Sequence, residues 1–341
     1  MPAPTTNRFP RIFLTGGSGY VGSLLVPRLL DRGYKVTSYD INYYGDDFLP
    51  KGNPALTILH GDIRDIGKMS AAIKGHDAFI NLACISNDAS FELDEKLSTS
   101  VNLDAFEPTV LAAKNAGVKR FIFASSSSVY GISDKPDVTE DHPLVPLTLY
   151  NKYKGMCEPL LLKHTTKDFV GVVFRPATVC GYAPRLRLDL SVNILTNHAV
   201  TNGKITVFGG DQLRPNLHVA DYCDAVQALL DAPDEKIANQ IFNVGYQNMS
   251  IMDIARMVKR VVEQEFPEKG DIQIVTTPSD DNRSYHINSD KVKRVLGYSP
   301  KRSIEDAVRD LCKAFRDGRI PNPMVDDVYY NVRRMKRLCA A

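Results

Sequence analysis

The chain has 341 residues, 43% of them hydrophobic and 24% charged, with 42 Lys plus Arg against 40 Asp plus Glu. That length corresponds to about two domains of 150 residues, or one large α/β unit with an appendage, and it buries a core without covalent staples. A net charge of +2 gives no global field toward nucleic acid or a membrane surface.

From Arg11 short apolar runs alternate with helical periods. Arg11–Thr15 reads as a buried strand and Gly19–Arg32 as a helix. A strand at Tyr34–Tyr39 and another at Leu56–His60 follow, then a helix at Ile66–Ile73 and a strand at Ala78–Leu82. Helices at Asn102–Ala116 and Tyr150–His164 alternate with strands at Arg120–Ala124 and Phe169–Arg175. Strand–helix alternation predicts a doubly wound α/β fold of the Rossmann type with a parallel sheet covered on both faces. Later, helices are expected at Val192–Thr201, Val219–Asp231, Ile251–Glu265 and Ile304–Phe315. Short strands are expected at Ile205–Phe208, Gln240–Val244 and Gln273–Val275. This predicts a dinucleotide domain over 1–176, with a returning segment near 214–245. A smaller mixed α/β substrate lobe takes 177–213 and 246–341.

The first strand runs into Thr15-Gly16-Gly17-Ser18-Gly19-Tyr20-Val21-Gly22, and the first helix follows. Gly16, Gly19 and Gly22 allow a tight turn and close approach of backbone to a pyrophosphate at the helix N-terminus, with Tyr20 and Val21 in the same turn. Asp40 ends the second strand about 20 residues beyond the loop, where a carboxylate accepts from ribose hydroxyls and repels a 2′-phosphate. No cation lies between Asp40 and Asp47, so NAD is expected rather than NADP. Asp62 and Ile63 follow the third strand and suit an adenine. Leu82 and Ala83 close the fourth strand, at the carboxyl edge where ligands of open α/β sheets bind.

Tyr150 and Lys154 stand four residues apart on one helix face, about 5–6 Å apart at Cβ. A tyrosine ordinarily titrates near 10. A neighbouring ammonium, helped by a nicotinamide cation, is expected to bring it toward 7 and make it a general base for an alcohol proton. Ser125-Ser126-Ser127-Ser128-Val129-Tyr130-Gly131 follows the fifth strand at the same edge.

Glycine loop, strand-end Asp, serine run and Tyr-x-x-x-Lys together resemble the extended short-chain dehydrogenases/reductases, in the NAD-dependent nucleotide-sugar epimerase/dehydratase group, from Arg11 to about Pro300. The resemblance implies a catalytic trio of Ser126, Tyr150 and Lys154, with Asn102 near the site. It implies that Pro176 meets the cofactor. It places Ser128, Thr178, Asn193, Val207, Phe208 and Arg214 on a nucleoside-diphosphate sugar. Arg283 stands in for an arginine that relatives carry just before the final strand. His218 reads as structural. Relatives that catalyse 4,6-dehydration carry an acidic pair where this chain has Ser127 and Ser128, and Ala83-Cys84-Ile85-Ser86-Asn87-Asp88 departs from the usual small-residue loop. The resemblance therefore implies a nucleotide-sugar epimerase acting at C4, with a 4-dehydrogenase or ketosugar reductase as alternatives. A non-catalytic dinucleotide sensor is the alternative of another class, and an intact trio argues against it. Pairing of the Asn102–Ala116 and Tyr150–His164 helices implies a homodimer.

The six cysteines form no Cys-x-x-Cys pair, so no metal site is expected. Cys84 and Cys180 fall near the expected cleft, where small buried side chains are the simpler reading. Residues 1–10 contain no apolar signal core, and no apolar run approaches the roughly 20 residues of a membrane helix, so a cytoplasmic location is expected. The basic run Arg333–Arg337 reads as a solvated chain end.

Overall fold

A computed structural model of the protein describes residues 7–133, 135, 137–279, 284 and 286–339. Its strands are β1 (Arg11–Thr15), β2 (Lys35–Asp40), β3 (Leu56–His60), β4 (Ala78–Asn81), β5 (Arg120–Ala124), β6 (Val170–Pro176), β7 (Thr178–Cys180), β8 (Lys204–Phe208), β9 (Leu213–His218), β10 (Ile241–Val244), β11 (Gln247–Ser250) and β12 (Gln273–Thr277). Seven form one parallel sheet in the order β10-β6-β5-β4-β1-β2-β3. These are the apolar runs of the sequence. Strands β4, β5 and β6 are buried at every position because helices cover both faces. The chain reverses its direction of winding between β1 and β4, and the crevice at such a reversal is where open α/β sheets bind ligands. The glycine loop, Leu82-Ala83 and the serine run leave β1, β4 and β5 at that edge.

The smaller lobe has a three-stranded sheet, β11-β9-β7, and the pair β12-β8. Its apolar core lies among the helices Ser191–Asn202, Ile251–Glu265 and Ile304–Arg316. The segment returning to the main body starts at the helix Val219–Asp231 and ends with β10. Strand β9 just before it belongs to the small sheet. The helix Asp290–Leu296 also returns, placing Val292 in the core with Phe242.

Several elements differ from the sequence reading for identifiable reasons. The first helix begins at Gly22, not Gly19, because the turn consumes residues 16–21. The helix read from Asn102 opens as a π-helical turn, Ser100–Asp104, before Phe106–Asn115. Strand β9 contains Pro215, which masks a strand in sequence yet pairs here across from Asn248. The basic tail lies on a helix, Asn331–Cys339, whose Asn331 lines the cleft and whose Met335 is buried, while Arg333, Lys336 and Arg337 are exposed. No helix among the described residues is long and apolar enough to cross a membrane.

Candidate active site

Gly16 turns the chain at φ +83°, and a Cβ there would stand 2.7 Å from the Ala83 nitrogen. At Gly22 a Cβ would lie 2.4 Å from the Gly16 oxygen and 2.5 Å from the Gly17 oxygen. The helix N-terminus is therefore seated directly on the loop, at the crevice. A cradle that any side chain would fill is what a diphosphate needs.

Asp40 accepts from the Ser18 amide (3.0 Å) and the Asn42 amide (2.8 Å), which aims its carboxylate along the crevice. Burial raises its proton affinity against those bonds. Asp62 is held by Arg64 through both carboxylate oxygens (3.0 Å each from Nε). Burial of the charge opposes ionisation, but the Arg64 bonds win and hold this carboxyl below its usual range.

Ser126 caps the turn Ser127–Tyr130. Its Oγ accepts from the Ser128 amide at 3.2 Å and lies 2.7 Å from the Ser128 Oγ, which donates to Asn151 Oδ1. The helix Leu149–Leu162 starts at Thr148, whose hydroxyl accepts from the Asn151 amide (3.3 Å) and donates to Asp88 (2.6 Å). Tyr150 thus sits in the first turn and Lys154 one turn later, both on the cavity wall. Lys154 Nζ donates to the Ala124 carbonyl (2.8 Å) and lies 5.1 Å from the Phe123 ring centre.

Burial pushes the Tyr150 hydroxyl well above its usual pKa. Cys84 and Asp88 add to the rise, and Arg187 works against it. The Lys154 ammonium is committed to the end of β5, and the protein by itself keeps Tyr150 neutral.

These groups line one cavity of about 630 Å³ between the lobes, within the range of cofactor and substrate sites. Two buried arginines, Arg185 and Arg187, close its far wall.

Residues 12–245 match the NAD dependent epimerase/dehydratase family. The chain belongs to that family. It is 27% identical to a UDP-glucose 4-epimerase of Lactobacillus helveticus over 330 residues, covering 89% of this chain and 96% of that protein. It is 24% identical to a dTDP-glucose 4,6-dehydratase of an Actinoplanes species, covering 91% and 98%. The solved UDP-glucose 4-epimerase of Thermotoga maritima superposes with a TM-score of 0.80 at 23% identity, over 90% of this chain and 99% of that one. The protein is accordingly an NAD-dependent enzyme of the epimerase/dehydratase family with the Rossmann fold of that group.

Of the family residues read from sequence, Gly16, Gly19, Tyr20, Val21, Gly22, Asp40, Asp62, Ile63, Leu82, Ala83 and Pro176 line the cavity. So do Ser126, Ser128, Tyr150, Lys154, Thr178, Phe208 and Arg214. Asn193 does not. It is buried behind the wall, where Oδ1 accepts from the Gly181 amide (2.9 Å) and Nδ2 donates to the Arg187 carbonyl (2.7 Å). Its capacity is spent on holding the loop that carries the two arginines. Val207 is also absent from the wall. Alternation along β8 turns Thr206 and Phe208 to the cavity and Val207 into the second core. Arg283 lies outside the described residues.

Asn102 holds the 83–88 loop by bonding both polar groups of Ile85, each at 2.9 Å. His218 is structural, accepting from the Ala220 amide (3.0 Å) and facing Asp310 (3.1 Å). Cys180 is buried with its thiol pushed up by burial, while Cys84 lines the cavity. No His, Cys, Asp and Glu cluster suited to a metal occurs among the described residues.

Sequence reasoning missed Arg185, Arg187, Tyr44, Asp189 and Asn331, which all line the cavity. The available signal was the alternation Arg185-Leu186-Arg187-Leu188-Asp189, whose leucines are buried in a core with Tyr20 and Tyr329.

The Asp40 geometry sets a cofactor test. Asp40→Ala is expected to weaken NAD and narrow its preference over NADP, read as the ratio of the two dissociation constants. Tighter binding of NADP than NAD by the unmutated protein would contradict the assignment.

Proposed function

We propose that the protein is a nucleotide-sugar epimerase that inverts a sugar carbon by transient oxidation of its hydroxyl, with C4 as the reacting centre. Bound NAD supplies the two-electron acceptor and donor for that oxidation and its reversal. Tyr150 Oη takes the hydroxyl proton and gives it back. Ser126 orients the hydroxyl and carries a path through Ser128. Lys154, fixed by the Ala124 carbonyl, holds the cofactor side of the site.

One observation carries epimerisation over 4,6-dehydration. Every carboxylate among the described lining residues is already engaged: Asp40 by two amides, Asp62 by Arg64, Asp88 by Thr148 and Asp189 by Arg187. Ser127 and Ser128 bring none to the serine run, so elimination across C5 and C6 finds no acid–base pair there. The similarity to a UDP-glucose 4-epimerase supports the same reading. The test is to supply UDP-, dTDP-, GDP- and CDP-sugars and follow products by NMR and mass. The expected product is a 4-epimer of unchanged mass, formed without an external redox partner. Loss of 18 Da, or reduced cofactor accumulating in step with product, would overturn it.

We further propose a homodimer through the helices Phe106–Asn115 and Leu149–Leu162, which pack on each other and expose Leu111 and Met156. Sedimentation at micromolar concentration is expected to give twice the 37.9 kDa chain mass. A single-chain mass would count against this.

A further inference from the structure

The chain runs on past the helix Ile304–Arg316 of the small lobe, and residues 317–339 turn back to the cavity wall. Their first part is anchored in the small lobe by apolar packing. Ile320, Tyr329 and Tyr330 are buried in one core with Leu186 and Leu188. The Leu188 amide donates to the Tyr329 carbonyl (2.9 Å), and Asn197 of the helix Ser191–Asn202 donates to the Tyr330 hydroxyl (3.1 Å). Asn331 Oδ1 then accepts from Arg185 Nη2 at 2.6 Å, and the Asn331 amide donates to Asp189 at 2.9 Å.

From there the helix Asn331–Cys339 reaches the main body. Asn331 Nδ2 donates to Ser86 Oγ (2.9 Å) in the loop that leaves β4. Arg334 Nε donates to the Tyr43 carbonyl (2.6 Å) in the loop that leaves β2. Met335 is buried, and the helix packs against the turn Asp88–Phe91. In the sheet β1 lies between β4 and β2, so these two loops stand on either side of the glycine loop. A segment bonded to both bridges the crevice between them, and Ser86, Tyr43 and Asn331 all line the cavity. The two attachments differ in kind. The small-lobe end is fixed by buried aromatic side chains. The bonds to Ser86 and Tyr43 are single neutral or singly charged hydrogen bonds to loops, which contribute little net free energy each and open far more readily than a packed core.

We propose that residues 317–339 are a strap, hinged on the small lobe and latched to the main body at Ser86 and Tyr43, that must release before the dinucleotide enters or leaves the cavity. The latch acts on rates. A strap that closes over the crevice without favouring the bound or the free state slows entry and exit by the same factor and leaves the affinity unchanged. This inference rests on NAD being the cofactor and is independent of which sugar reacts.

The experiment is stopped-flow binding of NADH to the full-length protein freed of nucleotide, followed by the fluorescence of the reduced nicotinamide, with release measured by a chase of excess NAD. Arg334→Ala removes the bond to Tyr43 by changing a side chain outside the cavity lining. Association and release are each expected to quicken about fivefold, with the dissociation constant within about twofold of the parental value. Arg334→Lys, which keeps a donor for the carbonyl, should fall between the two. In the unmutated protein the association rate should level off as NADH is raised, at the opening rate of the strap, and Arg334→Ala should lift that plateau. Unchanged rates in Arg334→Ala would overturn the latch. Faster release with unchanged association would overturn it too, because the weakened affinity would make the segment a ligand contact or a support of the site. If Arg334→Ala fails to melt cooperatively, the unmutated protein decides: a plateau in association supports the strap, and a rate still linear at millimolar NADH sinks it. A sugar reaction other than epimerisation leaves these readouts untouched, so the two conclusions fail separately.

Discussion

Replacing Tyr150 by phenylalanine is expected to lower turnover by about 10² or more while the fold and NAD binding persist. The substitution removes one oxygen and keeps the ring in the first turn of its helix, so the Thr148 cap and the Lys154 anchor on Ala124 are undisturbed. What is lost is the group that accepts and returns the hydroxyl proton. The pH profile gives a second, independent reading. Burial raises the proton affinity of Tyr150, and Arg187 offsets only part of the rise. The phenolate form is therefore scarce at neutral pH, and turnover should climb on the alkaline side. In Tyr150→Phe that alkaline dependence should vanish from whatever rate remains. Near-parental turnover by the variant, or an unchanged pH profile, would remove Tyr150 from the proton path. Ser126→Ala is expected to do less damage, since Ser126 orients the proton path without owning the proton.

The largest expected loss of stability comes from breaking the ion pair beneath the serine run. Glu158 and Arg175 are 2% and 3% exposed and meet through two bonds, Arg175 Nε to Oε1 at 2.9 Å and Nη2 to Oε2 at 2.6 Å. Ser125 donates to Glu158 at 2.6 Å, and Arg175 reaches Tyr130 at 2.7 Å, whose hydroxyl donates to Asn243 at 2.7 Å. The pair therefore links β5, β6 and β10 under the residues that carry Ser126. Glu158→Ala leaves a guanidinium buried without its counter-charge, and the expected cost is about 3–5 kcal/mol in equilibrium unfolding. Glu158→Gln keeps the shape and one acceptor, so its cost should be smaller. A loss below about 1 kcal/mol for Glu158→Ala would mean that water or a rearranged partner compensates the arginine. Because Ser125 loses its acceptor, catalysis should also fall at temperatures where the variant is still folded.

Local pattern made much of this protein legible in advance. The central strands β4, β5 and β6 are largely apolar runs bounded by polar turns, so burial on both faces writes them directly into sequence. The glycine spacing, Asp40 and the Tyr150–Lys154 pair are likewise local, since each depends on a turn, a strand end or one helical period. What the tertiary structure alone decided are matters of direction and partnership between distant segments. Val207 and Phe208 are neighbours in sequence, yet the pleat sends one to the core and the other to the cavity. Asn193 has the chemistry of a ligand contact, but Gly181 and the Arg187 carbonyl lie closer and consume it. Helical spacing pairs Tyr150 with Lys154, while burial raises the Tyr150 proton affinity and Arg187, 37 positions away, works against that rise. Most of all, no local rule joins Arg185 to Asn331 across 146 positions. Asn331, at the start of the C-terminal helix, reaches the cavity wall and accepts from a buried guanidinium, while Arg333, Lys336 and Arg337 of the same helix stay exposed.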